Sequence, residues 1–531
     1  MALTFVNGHI FTGVSEDEFA DTFTVADGAV ASVGGTEAVR RGSRVDLKGR
    51  TVLPAFLDIH THPPGVAMTV RAVPCIAPAV TNIPEMIAAL RKHPNAGRSA
   101  ADAWIEGWGY DESKLAERRT PTARDLDEVS TTQPVYVTRS DFHSAVCNTR
   151  ALQIAGITSA TPDPEGGRFG RDSRGNPNGL LLELGAVNAV RRVRAIESFD
   201  DRVAAIRATS DHFLERGIVA VSDMRASTSP FDDLDVYRKA AERGFAPQAL
   251  LYFAWADLER NLPPDLTDEQ RHGDVKFAGI KLFADGSISG RTAWMREPFA
   301  GSNEFGMSTL TAESMRSACE WARRNAVQVA VHAMGDRALD TVIDFFAAED
   351  PWMAAGVPSV RLEHATVLSD AHLARLAASR MRFGVATQII FSFAEYDSYV
   401  HHLTPVQFEQ AYRLKTWFRA IDRLGLSSDA PATPWADPDN VFVSLQAAVT
   451  RTAYNGQRFG PDQALTVPQA VLLYTSRAAT VAAYEGLGRI APGYDGSFVV
   501  IDRDIFSIEP SRIRDTRIAE TWIRGERVFQ R

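Results

Sequence analysis

Apolar and polar positions along this chain change rhythm twice. From residue 1 to about 53 they alternate in short runs, ALTFVNGHIFTG, DTFTVADGAVASVGG and SRVDLKGRTVLP, with Asn-Gly, Asp-Gly and Gly-Gly between or within them. A period of two broken by turn residues predicts a small antiparallel sheet. The same rhythm returns at the other end, in GRIAPGYDGSFVVIDRD and IRDTRIAETWIRGERVFQR. Each end alone has too few strands to bury an apolar face. The two ends are therefore expected to meet in one β-sandwich domain, 1–53 with 486–531.

Between them, over 54–485, near-continuous apolar runs alternate with helical patterns such as AESMRSACEWARRNA and DRALDTVIDFFAAE. Strands covered on both faces read this way, and the alternation predicts a parallel sheet closed by helices. Eight runs qualify, at 53–62, 218–224, 247–253, 277–286, 327–335, 360–365, 382–388 and 425–431. The expected fold class is α/β, a (β/α)8 TIM barrel. Most runs carry a polar residue at the carboxyl end: His62, Asp223, Lys281, His332, His364 and Asp429. That end is where barrels carry active sites. The gap between the first two strands far exceeds ordinary loop length. It predicts an inserted cap subdomain at about 65–200, rich in aromatic residues.

Composition narrows the class. The chain has 531 residues, 45% hydrophobic and 23% charged, ordinary for a soluble globular protein, and no apolar run is long enough for a membrane span. A net charge of −9 with interspersed signs gives no basic footprint for nucleic acid. The expected partner is a small molecule, and association of identical chains is left open. Three scattered cysteines (Cys75, Cys147, Cys319) and an amino terminus without an export pattern predict a cytoplasmic location.

The chemistry starts at TVLPAFLDIHTH, residues 51–62. In a strand, Asp58, His60 and His62 share a face, so two imidazoles are aligned as a pair. His-x-His alone recurs without metal. Together with Lys281, His332, His364 and Asp429 at equivalent strand ends, it predicts one metal-binding mouth. Imidazole and carboxylate suit a divalent transition metal such as zinc, with a position left for water. Lys281 is the odd member, because an ammonium has no lone pair and repels a dication. It must lose its proton or be modified. A neutral amine can take up carbon dioxide to form a carbamate, an anion whose two oxygens can bridge two metals.

The set D-x-H-x-H, GIKLFADGS, VHAMGD, RLEHA and SSDAP resembles the amidohydrolase superfamily, most closely its family-three branch of N-substituted formamide deformylase-like metal-dependent hydrolases. The resemblance covers nearly the whole chain. It implies two zinc ions per chain, with His60 and His62 on one, His332 and His364 on the other, carbamylated Lys281 between them, and Asp429 touching the first ion and the nucleophilic water. Three positions depart from the family pattern: Ala55 stands in place of Gly, Ile389 in place of Pro, and DGSFVV in place of an Ala-Asp-Phe run. None removes a ligand.

The expected activity is hydrolysis of a C–N bond other than a peptide bond, in an N-formyl or N-acyl amine or a cyclic amide. Asp429 is the expected catalytic proton carrier. Ester or lactone hydrolysis and deamination use the same centre and stay open, as does a scaffold relative without catalysis. Candidate substrate-binding residues are His143, Trp108 and Asp285, with Tyr110 and Phe142 as further pocket aromatics. Asp58 and Asp285 are expected to orient ligands from behind.

Overall fold

Eight parallel strands form the central sheet of the computed structural model, which describes residues 2–35, 43–98, 103–112, 114–140, 144–193, 198–259 and 264–531. They are β1 (Phe56–Thr61), β2 (Ile218–Ala226), β3 (Gln248–Ala254), β4 (Val275–Phe283), β5 (Gln328–Ala333), β6 (Val360–His364), β7 (Phe383–Thr387) and β8 (Leu424–Leu426). Each pairs in parallel with the next, from β1 through β8. The fold is mixed α/β with a nearly closed barrel sheet. Helices follow the strands with one apolar side inward: Ala312–Asn325 buries Met315, Ala318, Trp321 and Ala322, and Asp336–Ala347 buries Leu339, Val342, Ile343 and Phe346. That spacing is a 3.6-residue stripe.

The ends of the sheet meet through side chains and one backbone bond. Asp429 N donates to His60 O (2.8 Å), while Ser428 N and Ser428 Oγ donate to the two oxygens of Asp58 (3.1 and 2.5 Å). β8 is accordingly shorter than the expected 425–431. Beyond Leu426 the backbone turns to these partners, and Asp429 adopts a left-handed φ of 54° that no strand continues through. The expected run 53–62 is also two elements. Strand Thr51–Pro54 belongs to a different sheet, where Leu53 pairs with Val499, and only Ala55 separates it from β1.

That other sheet has six strands, ordered Glu526–Gln530, Ile518–Ile523, Phe498–Ile501, Thr51–Pro54, His9–Phe11 and Phe19–Ala20. A four-stranded sheet of Ala29–Val33, Phe23–Ala26, Ala2–Val6 and Ser43–Asp46 accompanies it. Two pairings are parallel, Ala2–Val6 with Ser43–Asp46 and His9–Phe11 with Thr51–Pro54, so the purely antiparallel expectation fails there. The amino-terminal strands visit both sheets instead of forming a simple hairpin series. Phe5, Phe23 and Val25 of one sheet share a core with Ile10, Val52, Phe498 and Trp522 of the other. The Phe5 ring centroid lies 4.8 Å from both Phe23 and Phe498.

These sheets and the barrel make up one compact unit, Met1–Pro63, Ile206–Asp429 and Asp439–Arg531. Within it Thr521 Oγ1 donates to Leu214 O (2.7 Å), and Arg524 forks onto Asp274 (2.7 and 2.9 Å). Gly217, with φ of 75°, sits where a Cβ would fall 2.8 Å from Ile518 and Val499. The second unit is Pro64–Ala205 with Ala430–Pro438. It holds a mixed six-stranded sheet ordered Arg168–Arg171, Pro177–Leu182, Ala145–Cys147, Val135–Arg139, Ile105–Tyr110 and Val73–Pro74. Two apolar clusters flesh it out, one around Leu90, Ile105 and Val137 and the other around Tyr136, Leu181 and Val187. Among the described residues no helix is long and apolar enough to cross a membrane. The three cysteines are buried and unpaired.

Candidate metal centre

β1 carries Asp58 and His60, His62 follows one residue past its end, and the structure brings His60 together with residues from the far strands. His60, His364 and Asp429 each present a ligand atom, all within 4.8 Å of one another. His60 Nε2 and His62 Nε2 converge on the same oxygen, Asp429 Oδ1, at 3.4 and 2.9 Å. The His364 ring centroid stands 4.8 Å from that of His60 and 4.3 Å from that of His332. Lys281 is buried two residues before Phe283, its Nζ 5.3 Å from that ring, and the ring lies 5.6 Å from the His332 ring.

Backbone strain aims two of these side chains. Glu363 and His364 are neighbours in β6, and strict alternation would send them to opposite faces. His364 has φ of 68° and Ala365 of 47°, and this left-handed stretch lets both side chains reach the cluster. Non-glycine residues in that region are uncommon and concentrate at functional sites.

The imidazoles are prepared as neutral donors. Burial, then the Lys281 charge, holds His60 well below the usual imidazole pKa, and the same two causes bring His332 to about 4. Burial and the His332 charge do likewise for His364. Their other ring nitrogens are engaged. His60 Nδ1 donates to Glu363 Oε2 (2.6 Å), His364 Nδ1 to Gln388 Oε1 (2.8 Å), and His332 Nε2 to the Gly286 carbonyl (2.9 Å). Such contacts fix which nitrogen keeps its lone pair, as the outer partners of metal-bound histidines do. Burial would push Asp429 up, but electrostatic interaction with His60 and a hydrogen bond from His62 hold it below the ordinary carboxylate range. Burial brings Lys281 down to about 8. Neutral imidazoles around an ionised carboxylate are a donor set that fits a divalent transition ion.

Both oxygens of Asp58 are occupied by Ser428, with His60 N at 3.5 Å. Asp285 accepts from Met334 N (3.0 Å), Gly335 N (2.8 Å) and Trp294 N (2.9 Å), with His332 Nε2 at 3.5 Å. It pins the loop after β4 to the end of β5, where a Cβ on Gly335 would fall 2.1 Å from the Trp294 carbonyl. Trp108 is buried in strand Ile105–Tyr110 of the second unit. His143 and Phe142 lie outside the described residues. Glu363, Arg361 and Gln388 were not singled out from the sequence. The signal that could have found Arg361 and Glu363 is two charged residues inside the strand run VRLEH, where both faces are expected to be covered.

The chain matches the model of the amidohydrolase family over residues 44–529. It is 28% identical to the putative amidohydrolase YtcJ of Bacillus subtilis, over 99% of this chain and 98% of that protein. It is 25% identical to the N-substituted formamide deformylase of Arthrobacter pascens, over 100% and 98%. Among solved structures, an uncharacterized metal-dependent hydrolase from Pyrococcus horikoshii superposes with a TM-score of 0.75 at 26% identity, covering 96% of this chain and 99% of that one. The histidine–carboxylate cluster and this likeness together point to a metal cofactor.

Proposed function

Because the chain belongs to the amidohydrolase family and is a hydrolase acting on carbon–nitrogen bonds, we propose that it cleaves a non-peptide C–N bond in a small N-formyl or N-acyl amine, or in a cyclic amide. The observation that carries this reading is the convergence of His60, His364 and Asp429 within 4.8 Å, with the Nδ1 atoms of both histidines already committed elsewhere. His60, His62, His332, His364 and Asp429 would hold two zinc ions, bridged by Lys281 as its carbamate. Zinc supplies two things when bound: it lowers the pKa of water from ~15.7 to about 7, and it polarises a carbonyl.

The protein's own groups do the rest. Asp429, held below the usual carboxylate range, is ionised at neutral pH, so its oxygens accept a proton from the attacking water. The same carboxyl then passes that proton to the leaving nitrogen. Lys281, at about 8, is partly a neutral amine near pH 7. Its nitrogen lone pair can bond to the carbon of carbon dioxide, and loss of one proton leaves an anionic carbamate with two donor oxygens. The substrate is a small molecule, and three unpaired cysteines support a reducing compartment such as the cytoplasm.

The test uses the full chain stripped by chelator and reloaded with zinc, against a panel of N-formyl amines, N-acyl amino acids, cyclic amides and lactones. Turnover of an N-formyl, N-acyl or cyclic amide that vanishes on stripping and returns on reloading is expected. Asp429→Asn should lower kcat by about 10²- to 10⁴-fold, the range for a positioned proton carrier. Turnover of lactones alone would reassign the bond. Chelator-insensitive protein without metal would overturn the metal reading.

A further inference from the structure

A line of buried polar side chains runs from the candidate centre into the barrel, and beyond His60 the reaction outlined above uses none of them. It begins at His60 Nδ1, which donates to Glu363 Oε2 at 2.6 Å. Glu363 is held on its other side by Arg361, whose Nε donates to Oε1 at 2.8 Å and whose Nη2 donates to Oε2 at 3.2 Å. The same guanidinium reaches two further partners: Nη2 donates to the Ile59 carbonyl (2.7 Å), and Nη1 donates to Tyr252 Oη (2.9 Å). Tyr252 Oη donates in turn to Gln328 Oε1 (2.5 Å), and Gln328 Nε2 donates to Pro358 O (2.7 Å) and Val481 O (3.1 Å). Arg361, Glu363 and Tyr252 have no exposed surface, and His60 and Gln328 have 1%.

An ion pair at that depth is a weak way to gain stability. Desolvating both charges costs about as much as their attraction returns, and apolar replacements are often neutral or better. A buried pair that ends on a metal-type histidine has a different use. We propose that Glu363 is a positioning residue for the metal centre, acting through His60, and that Arg361 is its counter-charge and anchor. This rests on the metal reading above.

The geometry works on His60 in two ways. The carboxylate accepts a hydrogen bond from Nδ1–H, so the proton stays on Nδ1 and the lone pair lies on Nε2, the nitrogen 3.4 Å from Asp429 Oδ1. An anionic partner also makes the imidazole a stronger donor. The guanidinium meanwhile grips the carbonyl of Ile59, the residue before His60, so ring and backbone are referred to one rigid group. Tyr252 and Gln328 tie that group to the barrel wall.

The experiment follows zinc affinity and not turnover, using full-length chain titrated with zinc against a chromophoric chelator, with folding checked by circular dichroism. Removing Glu363 alone leaves Arg361 unpaired and can unfold the chain, so the informative variant is Arg361→Met with Glu363→Leu, which removes both charges. It is expected to fold and to bind zinc about 10- to 100-fold more weakly. Tyr252→Phe removes only a tie beyond Arg361 and is expected to weaken zinc binding less than the double variant does. Zinc-soaked crystals of the wild-type chain should show the ion on His60 Nε2 with Nδ1 on Glu363. A folded double variant with wild-type affinity, an equal loss in Tyr252→Phe, or an ion on Nδ1 would each refute the positioning role alone. A wild-type chain that binds no zinc would refute the metal reading and this role with it.

Discussion

Asp58 shows how a buried carboxyl can serve a site without touching it. Burial raises its pKa to about 7, against the opposing hydrogen bonds from Ser428. The folded state therefore keeps a proton on Asp58 that the unfolded chain releases near pH 3.9. By linkage, stability from this group is present below that value and declines as pH rises from about 4 to about 7. In Asp58→Asn the thermal midpoint should fall less across that window than in the wild type, and an identical slope in both would sink the idea. Residues of this kind mark the limit of what the sequence discloses. His60 and His62 are legible because alternation alone puts them in phase. His364 and Asp429 are legible by position, yet their aim depends on left-handed backbone that no periodicity announces. Glu363 is half hidden, since its charge inside a covered strand run is a signal but its contact with a residue 303 positions away leaves no local trace. Asp285, expected to bind substrate or orient a ligand, gathers three backbone amides across two loops, contacts that no local pattern announces.

At the scale of elements, helix Phe199–Glu215 precedes β2 and is fastened near its carboxyl end by Asp439, just before helix Val441–Thr450. His212 Nε2 donates to Asp439 Oδ2 (2.5 Å) and Arg216 Nε to Oδ1 (2.8 Å). Burial would raise the Asp439 pKa, but the Arg216 and His212 charges bring it far below the carboxylate range. Stability from this clamp is complete above pH ~4 and is lost as pH falls through the lower folded value. Asp439→Asn should cost about 3 kcal/mol at neutral pH, the lower end for breaking a buried pair because the Arg216 and His212 side chains are both partly exposed. Denaturant unfolding at pH 7 measures this, and a loss indistinguishable from zero would show the clamp to be idle. The barrel elements themselves were legible, for their near-continuous apolar runs alternate with helical patterns. Their ends were not. Strand Thr51–Pro54 and β1 form one unbroken apolar stretch whose division is set by a distant partner, Val499, and β8 stops where Ser428 and Asp429 turn to β1.

At the scale of the molecule, the two chain ends are structural partners. Phe498–Ile501 lies between Thr51–Pro54 and Ile518–Ile523, so removing residues 486–531 would strip three of the six strands of that sheet and expose Phe5, Phe23 and Val52. The truncated chain should be insoluble or lack a cooperative melting transition, and a soluble truncation with a sharp transition would contradict this. The meeting of the ends was readable from their shared rhythm. The parallel pairings were not, because alternation is silent about strand direction. The continuity from Thr51–Pro54 into β1 has a consequence for biosynthesis. The strand that carries His60 and His62 leaves the ribosome early, with its sheet partner and Asp429 still unmade. On the metal reading proposed above, the nascent chain would offer an ion only a loose pair of imidazoles, and selection of the ion would fall to the period after the last barrel strand has emerged.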